Sequence, residues 1–147
     1  MLAFHARSRA QLRRRLAAAG HEASADEVIA WLERLGYLDD AAYARGRARA
    51  LLGSGRAGPR LVERRLLAAG IPRDAARGAV AAALSEVVPG DADELGLCRS
   101  AAERKLRGVP AASLDDKGRA RLARFLLGRG FSPGVVSRVV RMDEDPA

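Results

Sequence analysis

An all-α fold of tandem three-helix repeats, stacked into an elongated, curved array, is the class this sequence predicts, and three observations predict it. Three stretches look alike: "LRRRLAAAGHEASADEVIAWL" from Leu12, "VERRLLAAGIPRDAARGAV" from Val62 and "LARFLLGRGFSPGVVSRVV" from Leu122. Each places apolar residues at i and i+4 and a glycine four further on (Leu12, Leu16, Gly20; Val62, Leu66, Gly70; Leu122, Leu126, Gly130), then a break and a second apolar run. That pattern is a repeated helix pair whose first helix is closed by glycine. The breaks also carry helix-start residues. Finally, apolar residues make up 48% of the chain, many of them alanine, and aromatics only 4%. Small side chains suit closely packed helices better than a β-sandwich, and so few aromatics do not suit a base-stacking sheet.

The elements follow in order. "SRAQ" at Ser8–Gln11 has the form of a capping box and opens a helix at 9–19. "SADE" at Ser24–Glu27 has the same form and opens 25–35, after a break two residues longer than in the other copies. Asp39 and Asp40 precede an amphipathic pattern over 40–52, with Tyr43, Ala44, Ala48, Leu51 and Leu52 on one face. Proline at the first helical position opens 59–69 after Gly58, and Pro72 precedes 73–85. A further pattern covers 91–106, "LDD" at Leu114–Asp116 precedes 116–129, and Pro133 opens 133–142. No segment reads as a strand. Trp31, Leu32 and Leu35 share helical spacing and are expected in the core, as are Phe125 and Phe131. His21 stands where the other copies have Ile71 and Phe131, which predicts a partly buried helix end. Each repeat is too small to bury its own apolar faces, so neighbours must stack. Grouping the helices in threes gives a first repeat at 1–36 with its leading helix truncated, a second at 37–88, a third at 89–142 and a disordered tail at 143–147. "VVPGDAD" at Val87–Asp93 is the expected hinge between the last two repeats.

Catalytic chemistry has little to work with, and no enzyme is expected. Adjacent aspartates can hold magnesium in nucleotidyl transfer, but a two-metal site needs further carboxylates converging from other elements. Asp39–Asp40 and its twin Asp115–Asp116 instead sit where a carboxylate caps free N–H groups and offsets the helix dipole. "GSGRAG" at Gly53–Gly58 matches a dinucleotide fingerprint by letter, but a helix precedes it rather than the required strand. A glycine-rich entry to a helix, with Arg56 and Arg60 beside it, could still hold a phosphate or carboxylate; otherwise it is a flexible turn. His5 and His21 lack ligand spacing, and Cys98 is alone, so neither a metal site nor a disulfide framework is expected, nor any cofactor. Apolar runs are too short to span a bilayer and no signal peptide is visible, which predicts a cytoplasmic monomer without membrane contact.

Charge carries the functional signal. The net charge is +8, and of 26 basic residues only Lys105 and Lys117 are lysine. Seven arginines (45, 47, 49, 56, 60, 64, 65) and one acid, Glu63, fall between Arg45 and Arg65. Arg45 and Arg49 are four apart on one helix, as are Arg60 and Arg64 on the next, so each pair shares a face opposite its apolar stripe. A second patch runs through Arg7, Arg9, Arg13, Arg14 and Arg15, and a third through Lys117, Arg121 and Arg124. Such a surface fits a polyanionic partner, and arginine pairs bidentately with carboxylate or phosphate. The residues expected to make that contact are Arg45, Arg49, Arg56, Arg60, Arg64, Arg65, Arg13 and Arg121.

The ordered set "SRAQLRRRL", "VIAWLERLGYLDDAAYA", "GRAGPRLVERRLLAAGI" and "RFLLGRGFSPGVVSRVV" resembles the RecX family, bacterial regulators of the recombinase RecA, over about Ala6 to Arg141. The resemblance implies tandem three-helix repeats in a curved molecule. It also implies binding along the groove of the RecA filament on single-stranded DNA, limiting RecA's ATPase, strand-exchange and coprotease activities. The basic surface would then face acidic RecA surface, DNA phosphates, or both. Family members carry a leading helix before the "SRAQL" segment, and "LAFHA" looks like its tail. A direct DNA-binding helical module, or a helical-repeat scaffold for another acidic partner, would share the same surface chemistry.

Overall fold

Helix-forming alanine, leucine and arginine dominate the chain, and the computed structural model is helical throughout its described residues, 7–36, 38–87 and 94–141. In order the helices are α1 Arg9–Ala18, α2 Ala25–Arg34, α3 Asp40–Gly53, α4 Pro59–Ala68, α5 Arg73–Val87, α6 Glu94–Leu106, α7 Asp116–Gly128 and α8 Pro133–Arg141. Short 3-10 turns at Glu22–Ser24 and Ala111–Ser113 precede α2 and α7, and no strand occurs among the described residues. The expected leading segment and tail, and all of the hinge beyond Val87, lie outside the described residues; Val87 itself ends α5.

Two cores hold the second and third helix groups. In one, Ala44, Ala48 and Leu52 of α3 share a buried cluster with Val62 and Leu66 of α4, Ile71, and Ala76, Ala79, Val80 and Ala83 of α5. In the other, Cys98, Ala101 and Ala102 of α6 meet Leu122 and Leu126 of α7, Phe131, and Val136 and Val139 of α8. Alanines four apart on facing helices let the backbones approach closely, so small residues still build a dense interior. Phe131 is buried as expected and Phe125 packs at the edge of its cluster.

The first group differs. Ala25 and Ile29 of α2 are buried, yet Trp31 is 54% and Leu35 50% exposed, and His21 is exposed too. The expectation of core positions here fails for a packing reason: among the described residues no third helix covers this face of α2. Ser24 fails as a cap as well. The 3-10 turn leaves its backbone near-helical (φ −102°, ψ 2°), and its hydroxyl turns back to donate to the His21 carbonyl at 3.3 Å. The capping box at Ser8 does form: Gln11 N–H donates to Ser8 Oγ at 3.1 Å, and Ser8 N–H to Gln11 Oε1 at 3.0 Å.

One joint connects the groups and is used twice. The start of α1 docks on the turn after α4: the buried Ser8 hydroxyl donates to the Ala69 carbonyl, and Arg14 Nη2 donates to the Ala68 carbonyl at 3.0 Å. The start of α4 docks in the same way on the turn after α7, where Gly58 N–H donates to the Arg129 carbonyl at 2.7 Å and Arg60 N–H to the Gly130 carbonyl at 2.9 Å. Gly130 has φ +97°, and a Cβ there would fall on the Leu61 backbone, so both conformation and contact require glycine.

Candidate functional site

The aspartates that open α3 and α7 act as caps. Asp39 Oδ1 accepts from Ala42 N–H at 3.1 Å and Asp115 Oδ1 from Gly118 N–H at 2.8 Å. Asp40 adds a link between groups, accepting from Arg9 N–H at 2.8 Å. The Gly53–Gly58 segment is neither an anion cradle nor a slack turn. The N–H groups of Gly58 and Arg60, which an anion at the start of α4 would need, already donate to carbonyls of the third group. The Gly55 carbonyl accepts from Arg104 Nη2 at 2.8 Å, and Gly55 has φ +70°. The segment is a joint. Burial pushes the Cys98 thiol up to about 11, with nearby Glu94 adding to the shift, so the sulfur stays protonated in the core at neutral pH.

The arginines divide into two sets. On α4, Val62 and Leu66 point into the core, which turns Arg60 and Arg64 to solvent on the opposite side. Arg45 on α3, Arg56 in the joint and Arg65 on α4 are exposed as well. None of these side chains pairs with a carboxylate among the described residues, and the same holds for Arg121 on α7. Arg49 and Arg13 are engaged. Arg49 flanks the apolar stripe of α3 instead of opposing it, and grips Glu86 Oε2 across α5 through Nε at 2.7 Å and Nη2 at 2.6 Å. Arg13 pairs with Asp26 at 2.8 Å. Exposed pairs of this kind are worth at most about 1 kcal/mol, so a strong external acid could still displace them.

Sequence reasoning missed two cations beside this surface. Lys105 Nζ lies 4.9 Å and Arg129 Cζ 5.1 Å from the centroid of the Phe125 ring. Arg129 also supplies the backbone carbonyl that holds Gly58 at the start of α4. No local spacing signals this, because the partners come from α6, α7 and the end of α7, brought together only by packing.

Helices that come in threes in the second and third groups, joined by a recurring contact, define a helical-repeat protein, with a row of exposed arginines along α4 and the joint before it. The family description "RecX, third three-helix domain" matches residues 92–140. A Regulatory protein RecX of Thermus thermophilus is 39% identical over 149 residues, covering 99% of this chain and 88% of that protein. The Regulatory protein RecX of Chlorobaculum tepidum is 31% identical over 143 residues, covering 97% of this chain and 82% of that one. The chain belongs to the RecX family. Its fold matches the crystal structure of RecX from Lactobacillus salivarius with a TM-score of 0.76 at 19% identity, over 97% of this chain and 89% of that one. A second RecX crystal structure matches with a TM-score of 0.73 at 20% identity, over 93% of this chain and 64% of that one. No helix among the described residues is long and apolar enough to cross a membrane.

Proposed function

We propose that this protein is a non-enzymatic, cytoplasmic regulator that binds the RecA filament on single-stranded DNA. It restrains RecA's ATPase, strand-exchange and coprotease activities in recombination and SOS repair. Membership of the RecX family supports the partner. The single observation that supports the surface is the row of exposed arginines on α4 and the adjoining joint, Arg56, Arg60 and Arg64, with no carboxylate partner among the described residues. Repeats at about 37–88 and 89–142 would lay this row against the filament, with the 1–36 unit preceding them. Arg45, Arg65 and Arg121 extend the contact, and Arg13 and Arg49 exchange an internal acid for one on the partner.

RecA's DNA-dependent ATPase, titrated with this protein, tests the reading. Inhibition at near-stoichiometric ratio is the expected result. The double variant Arg60→Glu/Arg64→Glu should need at least about tenfold more protein for the same inhibition, since like charges at an interface cost several kcal/mol. Its helical CD spectrum should match that of the unaltered chain. No effect of the unaltered protein at stoichiometric excess removes RecA as the partner; undiminished inhibition by the double variant removes α4 as the contact.

A second reading, direct binding to nucleic acid, draws on Lys105 and Arg129 around Phe125, a cationic pair able to meet a phosphate. It requires binding to single-stranded DNA without RecA, with affinity falling steeply as salt rises.

A further inference from the structure

In the row Arg56, Arg60 and Arg64, the last two take their place from α4, but Arg56 lies on no helix. It sits in the connection between α3 and α4 with Gly55 directly before it, where glycine leaves the chain its widest conformational freedom. Even so, the backbone around Arg56 is held on both sides. The peptide unit that precedes it is gripped at both ends. Its carbonyl, from Gly55, accepts from Arg104 Nη2 at 2.8 Å, and its N–H, from Arg56, donates to Ser54 Oγ at 3.2 Å. A peptide unit is planar, so holding its two ends holds the plane. Two residues beyond Arg56, Gly58 N–H donates to the Arg129 carbonyl at 2.7 Å. Ala57 and Gly58 are buried, whereas Arg56 is exposed.

Both outside holds come from the third group. Arg104 reaches over from α6, 49 residues along the chain, and Arg129 follows the end of α7. Gly55 has φ +70°, and a Cβ there would fall on the Arg104 guanidinium. The glycine therefore both turns the chain and leaves the room that the guanidinium fills. A charged donor on a carbonyl makes a stronger bond than a neutral one. Ser54 belongs to the end of α3: its hydroxyl donates to the Leu51 carbonyl at 2.7 Å and its N–H to the Ala50 carbonyl at 3.1 Å. Arg104 ties the same peptide unit to the neighbouring group.

We propose that Arg104 is a positioning residue for filament binding: it acts through Arg56, holding the backbone so that this guanidinium is presented together with Arg60 and Arg64. The inference rests on the filament-binding reading above. What Arg104 supplies is preorganisation. Without it the glycine-bounded connection must be ordered at the moment of binding, and that ordering lowers affinity. The third group thus shapes a contact that the second group makes, and Arg104 does so without touching the partner.

RecA's DNA-dependent ATPase, titrated with Arg56→Ala, Arg104→Ala and the double variant, tests this as a cycle. Arg56→Ala should raise the concentration for half inhibition about tenfold. Arg104→Ala should raise it about threefold to tenfold, the scale of ordering one side chain and its loop. The double variant should stay within about twofold of Arg56→Ala, because the two residues act as one. A second measurement needs no RecA: trypsin should cut after Arg56 at least about tenfold faster in Arg104→Ala than in the unaltered chain, since the segment opens locally. Fragment mass identifies the cut. Helical CD and the urea midpoint should match those of the unaltered chain. Effects that multiply in the double variant overturn the proposal, since Arg104 would then touch the partner itself or act beyond Arg56. So do undiminished inhibition by either single variant, unchanged cleavage after Arg56, or a lowered urea midpoint with cleavage at helical arginines. An unaltered chain that fails to inhibit at stoichiometric excess removes the filament reading, and this proposal with it.

Discussion

Gly130 and Gly20 occupy the same place in their repeats and share a left-handed backbone, φ +97° and +85°, but their surroundings differ. A Cβ at Gly130 would strike the Leu61 backbone, whereas one at Gly20 meets nothing within 4 Å. Gly20→Ala should therefore cost only the conformational term, about 1–2 kcal/mol. Gly130→Ala should cost clearly more, about 3 kcal/mol or above, because the joint must also open. Urea denaturation of the two variants checks the difference. Cys98 gives a pH-dependent counterpart. Its thiol pKa is raised in the fold from 9.0 to about 11, so the unfolded chain loses its proton first as pH rises. The stabilisation is whole below pH 9 and drains away as pH climbs toward 11. The stability of Cys98→Ala, measured against the unaltered chain, should fall less steeply across that window. At neutral pH Cys98 should also resist alkylation until the protein unfolds.

Helices and their ends are largely legible in the amino-acid order, because the relevant information is local. All eight helices expected from apolar spacing, capping residues and prolines are present among the described residues, with seven starts matching and the ends within two residues; the expected start of the sixth at 91 and end of the eighth at 142 lie outside the described residues. The exceptions share a cause: they depend on what packs against an element. Apolar spacing on α2 marks which side of the helix is greasy but not whether another helix lies over it, so Trp31 and Leu35 read as core and stand in solvent. Ser24 has the letters of a cap, yet a 3-10 turn ahead of it redirects its hydroxyl. The two serines thus give a paired test of element stability. Ser8→Ala loses both a cap and the buried bond to the Ala69 carbonyl and should cost about 1–3 kcal/mol, whereas Ser24→Ala should stay within about 0.5 kcal/mol. The candidate surface is legible to the same degree. Helical spacing puts Arg60 and Arg64 on one outward face, but the Arg49–Glu86 grip spans 37 residues of sequence and the cluster around Phe125 draws on separate helices.

At the scale of the molecule, the joints tie neighbouring groups by hydrogen bonds to backbone carbonyls, from side chains in the first joint and from backbone N–H groups in the second, so a group cannot unfold without breaking its neighbour's contacts. Unfolding should accordingly be one transition, as expected for short arrays with strong interfaces. Trp31 emission, which senses only the first group, and far-UV CD, which senses every helix, should give the same midpoint in urea. Distinct midpoints would mean that the joints do not couple the groups. The joint also has a sense. Each time, the earlier group supplies the start of a helix and the later one supplies the turn that receives it. The last helix of this type breaks the rule: the cap of α7, Asp115, stands three residues ahead of Gly118, the counterpart of Ser8 and Gly58, and already claims the Gly118 N–H. At the other end, a Cβ at Gly20 meets nothing within 4 Å among the described residues. The order of donor and receiver therefore gives the array a direction. A filament with its own direction would distinguish this molecule from the same molecule turned end for end.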